Sequence, residues 1–495
     1  MSPPCHRLFT ALALLALALG FAGPIRAEET TAAPAEEATG AAVPAAESVP
    51  AATPGTAPAA YFSRHADPVV IKGEQLPSFL ESTEGMMRVF AKRGGKLQPI
   101  PYQMDERNQW GEFVLHKGKR VVPDEDKGQY DENDELVFLT RDLGEKAAKS
   151  EWPSGAKEAF EVEVTDPLTS DKAYAYVVLY ESEAAAPPPS TVDYVTYTEQ
   201  GEGLIRAMNY EIGWLKTKSG LDYNHLVVTK EAGGDDVNHF DRLKIRVLQN
   251  IRRFLTLGLS PRLDRTEENF LVKLYGYRDG PVRALRVSKV NLQLVWKLPA
   301  PGATVNYVFY PEWMEIPVPI NLPFKPTWAF YNIELDTSHD YAFKPEDGVK
   351  GYNSVTPGVW TKVDGQMSKE ETEFNGQDVK GGYAGYDGSA SKAGAAFFTV
   401  RAPKSFSTQI LGLYQDDPEK SVEPEYYKGD ANKKNRPEWI KGSMPLGGFR
   451  FVDWGGVGKG IHTMYYYQFY PPHYKPGGEK AFLDIIDHPI QVTIN

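Results

Sequence analysis

The stretch Leu243-Lys244-Ile245-Arg246-Val247-Leu248 decides the fold. Apolar and basic residues alternate with period two, which puts Leu243, Ile245 and Val247 on one face of an extended chain and the lysine and arginine on the other. The same alternation runs through Val282-Arg-Ala-Leu-Arg-Val287, Asn291-Leu-Gln-Leu-Val-Trp296 and Tyr307-Val-Phe-Tyr310. Nearer the N-terminus it appears in Met87–Lys92, Phe160–Val164 and Tyr174–Tyr180, and Pro489–Ile494 ends the chain in the same way. Arg278-Asp-Gly-Pro281, Pro299-Ala-Pro-Gly302 and Gly455-Gly456 supply turns between the runs. No amphipathic helical pattern of three turns is present. Half-buried strands joined by short turns pair antiparallel and stack face to face. The sequence therefore predicts an all-β protein: a small N-terminal β-sandwich followed by a large antiparallel β-sandwich.

Composition agrees. Gly 44 and Pro 38 are enriched, aromatics are 12% with 27 Tyr, and the mean hydropathy of −0.42 is that of a chain with a normal core. The length of 495 residues suggests more than one domain. A net charge of −12 argues against nucleic acid as a partner, since such proteins carry a basic face.

The N-terminus reads as an address. Leu8–Ala22 is an uncharged apolar run too short to span a bilayer comfortably, and Ile25-Arg26-Ala27 follows as a cleavage site, so residues 1–27 are expected to be a signal peptide. After its removal the chain has no membrane-spanning stretch, and the expected location is periplasmic, cell-surface or secreted. The single cysteine, Cys5, lies in the leader, which excludes disulfides, thiolate metal sites and a cysteine nucleophile downstream. Residues 28–60 are Ala/Pro/Glu-rich with no aromatic residue, a disordered tether by composition. Folded sequence begins near Tyr61. The connector at 184–190, with Pro187-Pro-Pro189, divides a small β module (61–183) from a large β-sandwich module (190–495).

Three groups of residues are candidates for chemistry. In Pro123–Glu135 seven of 13 residues are acidic, and Asp124, Asp126, Asp131, Asn133 and Asp134 are oxygen ligands suited to calcium; the alternative is a solvated acidic turn. No cofactor is otherwise required. His239 lies close to Asp236 and Arg242, and His225 could join them across a hairpin, a set fit for general acid/base work if the protein is an enzyme; a polar connecting loop has the same composition. Trp313, Phe324 and Trp328 fall in a Pro-rich apolar segment, and Tyr465 and Tyr467 in Tyr465-Tyr-Tyr-Gln-Phe-Tyr470. Exposed, these rings would stack on sugars or dock a partner; buried, they would seal the sandwich. Five prolines argue that 310–328 is not an interior strand.

Two tracts, Ile100-Pro-Tyr-Gln-Met-Asp-Glu106 and Asp131-Glu-Asn-Asp-Glu-Leu-Val-Phe-Leu-Thr-Arg-Asp-Leu-Gly144, resemble a pattern of uncharacterised exported bacterial β proteins. Gly280-Pro-Val-Arg-Ala-Leu-Arg286 resembles a strand start in the galactose mutarotase-like supersandwich of carbohydrate-binding and polysaccharide lyase proteins. The resemblance implies a supersandwich-like second module. It leaves three functions open: a non-enzymatic envelope protein that binds, for instance, polysaccharide; a carbohydrate-active enzyme of lyase or hydrolase type; and a subunit of an envelope protein assembly.

Overall fold

The structure, a computed structural model, describes residues 61–118, 126, 128–215, 223–295, 298–299, 303–417 and 446–495. The expected leader (1–27), the tether (28–60) and Asp124 lie outside the described residues. Residues Tyr61–Asn495 form a single compact unit. It is all-β, as the alternation requires, and among the described residues its three α-helices are Pro326–Ala329, Lys369–Phe374 and Glu479–Asp487. None of these is long and apolar enough to cross a membrane.

The first module is a small sandwich. One sheet orders Pro68–Lys72, Glu135–Leu139 and Gln103–Asp105; the other orders Gln491–Ile494, Glu158–Thr165, Lys172–Leu179, Met87–Arg93 and Lys96–Pro99. Alternate residues such as Met87, Val89, Val162, Val164, Ala175 and Val177 meet in a core with almost no solvent exposure. The expected division at 184–190 needs one amendment. The last strand of the chain pairs antiparallel with Glu158–Thr165, from Gln491 opposite Thr165 to Ile494 opposite Val162, and Val492 and Ile494 pack on this core.

Among the described residues a sheet of eleven strands, paired antiparallel, forms the centre of the larger part. One face packs on a four-stranded sheet (195–228) and on a five-stranded sheet that contains Phe240–Ile251. The other face meets the first module and the helix Glu479–Asp487, through Val137, Leu139, Phe113, Phe482 and Ile485. That helix has two and a half turns and was not expected from the sequence; Phe482 and Ile485, three apart, supply its buried side.

Two expectations are corrected here. Leu243 and Ile245 do pack inward, but the basic face of their strand is buried too. Lys244 pairs with Asp340 at 2.9 Å, Arg242 and Arg246 share the Glu267 carboxylate, and Arg450 holds Asp336 at 2.8 Å, so each buried charge has an opposite one. The Pro-rich segment is also a strand of the long sheet. Trp313–Leu322 lies between Ala303–Phe309 and Gly460–Phe469, with Pro317 opposite Tyr465 and Pro319 opposite Thr463. Its ladder to Ala303–Phe309 contains only Glu315–Val308 and Met314–Phe309. Pro317 and Pro319 stand two residues apart, so both missing N–H groups point the same way. The strand is therefore interior, and the prolines, which have no N–H to give, fall where the ladder to Ala303–Phe309 has stopped.

Removing residues 490–495 uncovers the flank of the first core at Val162 and Val164. The expected cost is about 2–4 kcal/mol, seen as a lower urea midpoint than that of the intact chain; an unchanged midpoint would contradict the pairing.

Candidate functional site

The three tracts that carry the resemblance converge at one point. Asp105 and Gln103 come from the first tract, Glu135 from the second, and Arg283 from the third. Arg283 donates through Nε to Asp105 Oδ2 at 2.7 Å and through a terminal nitrogen to Glu135 Oε2 at 2.5 Å. Arg278 reaches the other Asp105 oxygen at 3.0 Å, and also His116 at 2.8 Å. Gln103 Oε1 accepts from the backbone N–H groups of Val282 and Arg283, while its amide nitrogen donates to Asp105. A Cβ at Gly280 would lie 2.5 Å from Gln103 Oε1, so a side chain there would displace the amide from its bonds to Val282, Arg283 and Asp105. Burial alone would raise the Asp105 carboxyl; Arg283 and Arg278 overcome that and hold it below the usual carboxylate range. This is a fully buried clamp between the first module and the long sheet.

The clamp leads outward along that face of the sheet. Arg283 donates to the Tyr310 hydroxyl at 3.0 Å. Two strands on, Glu315 stands directly opposite Tyr467, and Pro317 opposite Tyr465. The rings of Tyr465 and Tyr467 are nearly parallel, 11° apart with centroids 6.2 Å from each other, and Tyr467 is in turn parallel to Phe469. Phe469 is fully buried beneath the first module, Tyr467 is half-buried, and Tyr465 is 37% exposed. The strip thus emerges from the core into solvent. On its other side Arg401, opposite Tyr465, is fixed by Asp487 at 3.0 Å. Burial raises the Glu315 carboxyl above its ordinary value, Arg283 opposes this and Glu135 adds to it. Among the described residues no hydrogen bond reaches that carboxylate.

The other sequence candidates are placed as follows. Trp313 is buried, donates its indole N–H to Ala66 O at 2.9 Å and stacks on Tyr310. Phe324 and Trp328 meet edge to face at 5.6 Å, and Trp328 is exposed. The four residues proposed for acid/base work are engaged separately. His239 bonds Asp235 at 2.9 Å, Asp236 holds Lys230 at 2.6 Å, His225 bonds Glu211 at 3.2 Å, and Arg242 is buried on Glu267. In the acidic tract Asp134 accepts from the Arg107 N–H at 2.6 Å, and Asp131 accepts from the Asn133 and Asp134 N–H groups, so these oxygens cap their own turn. Burial pushes the Asp134 carboxyl up to about 7. Asp126 lies in the same turn region. Among the described residues no group of three or more His, Cys, Asp or Glu side chains is placed to hold a metal ion.

No family model matches the chain, and no curated protein matches it. Among solved structures it is similar to an alpha-mannosidase from Enterococcus faecalis, at 10% identity over 88% of this chain with a TM-score of 0.40. A second similar structure is a glycosyl hydrolase family 38 protein from the same organism, at 10% identity and a TM-score of 0.38. The chain spans 45% and 48% of those two proteins.

Two outcomes test this geometry. Asp105→Ala leaves two buried guanidiniums without their shared carboxylate and should cost about 3–5 kcal/mol, whereas Arg107→Ala, at a half-exposed partner of Glu135, should cost about 1 kcal/mol or less; equilibrium denaturation distinguishes them. The second concerns pH. A carboxyl raised in the folded state contributes stability that is complete below its unfolded value and is lost as pH rises through its folded value. Glu315→Gln removes that loss, so the variant should gain stability relative to wild type as pH rises through and above the ordinary carboxylate range; a pH-independent difference would count against a raised carboxyl.

Proposed function

We propose that this chain is a non-enzymatic carbohydrate-binding protein of the cell envelope, and that a polysaccharide lies along Tyr465 and Tyr467. The observation that carries the reading is the pair of near-parallel tyrosine rings, one of them open to solvent, flanked by Glu315 and by the Arg401–Asp487 pair. Aromatic faces accept the C–H faces of sugar rings, and fixed polar groups at their edges accept and donate to hydroxyls; binding sites combine the two in this way. The expected leader and tether support periplasmic, cell-surface or secreted placement. Calcium is not needed for this contact.

A glycan array and a polysaccharide panel test it. Binding is expected without turnover, and Tyr465→Ala/Tyr467→Ala should weaken it about tenfold or more, with Tyr465→Ala alone, at the exposed ring, weakening it in the same direction at a denaturation midpoint near wild type. Retained binding in the double variant, or no binding across the panel, would reject the reading. Glu315, a raised carboxyl beside a second carboxylate and Tyr467, favours one competing view, an acid/base enzyme acting at the buried end of the strip. Turnover on the panel that disappears in Glu315→Gln would establish that view in place of binding alone.

A further inference from the structure

Away from the tyrosine strip, two loops meet at one end of the five-stranded sheet. The first, residues 252–260, joins Phe240–Ile251 to Arg262–Thr266; the second, 323–329, leads into Phe330–Tyr341. Arg252 welds them, donating Nε to Thr327 O at 2.6 Å and its backbone N–H to Ala329 O at 2.9 Å. Trp328 sits between Phe254 and Phe324, edge to face with both, at 5.7 and 5.6 Å. The apolar side chains point outward: Phe254 is 61%, Leu257 70%, Leu259 58% and Trp328 46% exposed. Exposed groups of this size are rarely contiguous on a soluble surface unless something covers them.

The loop is tied by its own hydrogen bonds. Its backbone closes on itself through Leu255 to Arg252, Gly258 to Arg253 and Leu259 to Thr256, and Ser260 bonds the Tyr331 hydroxyl at 2.6 Å. Leu257 stands at φ +53°, a conformation that suits glycine or asparagine, yet it carries the most exposed of these apolar side chains. The rim is basic. Arg253 and Lys325 are exposed, with no carboxylate in ion-pair distance among the described residues, and exposed Lys459 follows the turn Trp454–Gly456 that lies against Pro326–Ala329. The one acid on that turn is Asp453. This basic end belongs to a chain whose net charge is −12.

We propose that this end of the molecule docks on an anionic lipid surface, with Phe254, Leu257, Leu259 and Trp328 entering the headgroup boundary and Arg253, Lys325 and Lys459 on lipid phosphates. Tryptophan, phenylalanine and leucine beside lysine and arginine are the composition of an interfacial anchor. The apolar side chains stand exposed on two loops at one end of a sheet, where a deformable bilayer can reach them, and each basic residue near an anionic leaflet adds attraction.

Cosedimentation tests this with the chain from Glu28 onward, the form expected after leader removal. The probes are phosphatidylcholine vesicles with and without phosphatidylglycerol. Binding is expected only with the anionic lipid and should fall as salt rises. Arg253→Glu/Lys325→Glu and Phe254→Ser/Leu257→Ser should each weaken it about tenfold or more, with circular dichroism melts matching wild type. Tyr465→Ala/Tyr467→Ala should leave it intact, which separates this surface from the proposed sugar site. Absence of binding, equal binding to neutral vesicles, or undiminished binding by the two loop variants would overturn the proposal, as would a protein partner that needs these residues when no vesicle binding exists.

Discussion

Asp105 is the residue on which the arrangement of the molecule rests. It is wholly buried and carries two arginines from the long sheet, while its own strand belongs to the small sandwich. Burying three charges is costly unless the geometry is good and the remaining hydrogen-bonding capacity is used. Both conditions are met: Gln103 bonds Asp105 and the backbone at Val282 and Arg283, and Glu135 takes the far side of Arg283. An apolar contact could slide, but a carboxylate between two fixed guanidiniums fixes the register of one module against the other. The tyrosine strip depends on that register, because its buried end runs under the first module and its open end does not.

Much of the fold was legible in the sequence. Period-two runs such as Met87–Lys92, Tyr174–Tyr180 and Val282–Val287 do lie in or lead into strands, although both faces of these runs are largely buried, one in the core and the other under neighbouring segments. The failures have specific causes. Trp313–Leu322 looked unfit for a sheet because each proline removes a ladder donor, but its unbroken pairing with Gly460–Phe469 on the other side holds it in place. The helix Glu479–Asp487 is shorter than the length at which helical periodicity becomes persuasive, and it is held by tertiary contact with Phe397 and Phe469. The basic face of Phe240–Ile251 read as a solvent face, since partners such as Glu267, Asp336 and Asp340 lie far off in sequence or in other strands.

The candidate site was less legible. Tyr465 and Tyr467 were visible as aromatics two apart on one strand, and the structure places them together. Glu315 was missed because its neighbours Tyr467, Arg283 and Glu135 are 152, 32 and 180 positions away. The histidine-centred set illustrates the opposite error: residues close in sequence, His239 and Asp236, took different partners, because a tight turn at Asp236 with positive φ directs their side chains apart. The three resembling tracts carried real spatial information, since they meet at Asp105. Within the third, Arg283 and Arg286 are three apart in a strand and so face opposite ways, Arg283 to the first module and Arg286 over the Trp214 ring on the other side.

Gln491–Ile494 completes a sheet whose remaining strands lie within the first 179 residues. On the ribosome that strand emerges long after Glu158–Thr165, the strand it pairs with. The N-terminal sandwich therefore waits, one edge open, until the strand arrives, and its flank stays available to chaperones or to a misplaced strand during that interval. An edge laid down early is closed only by residues made late.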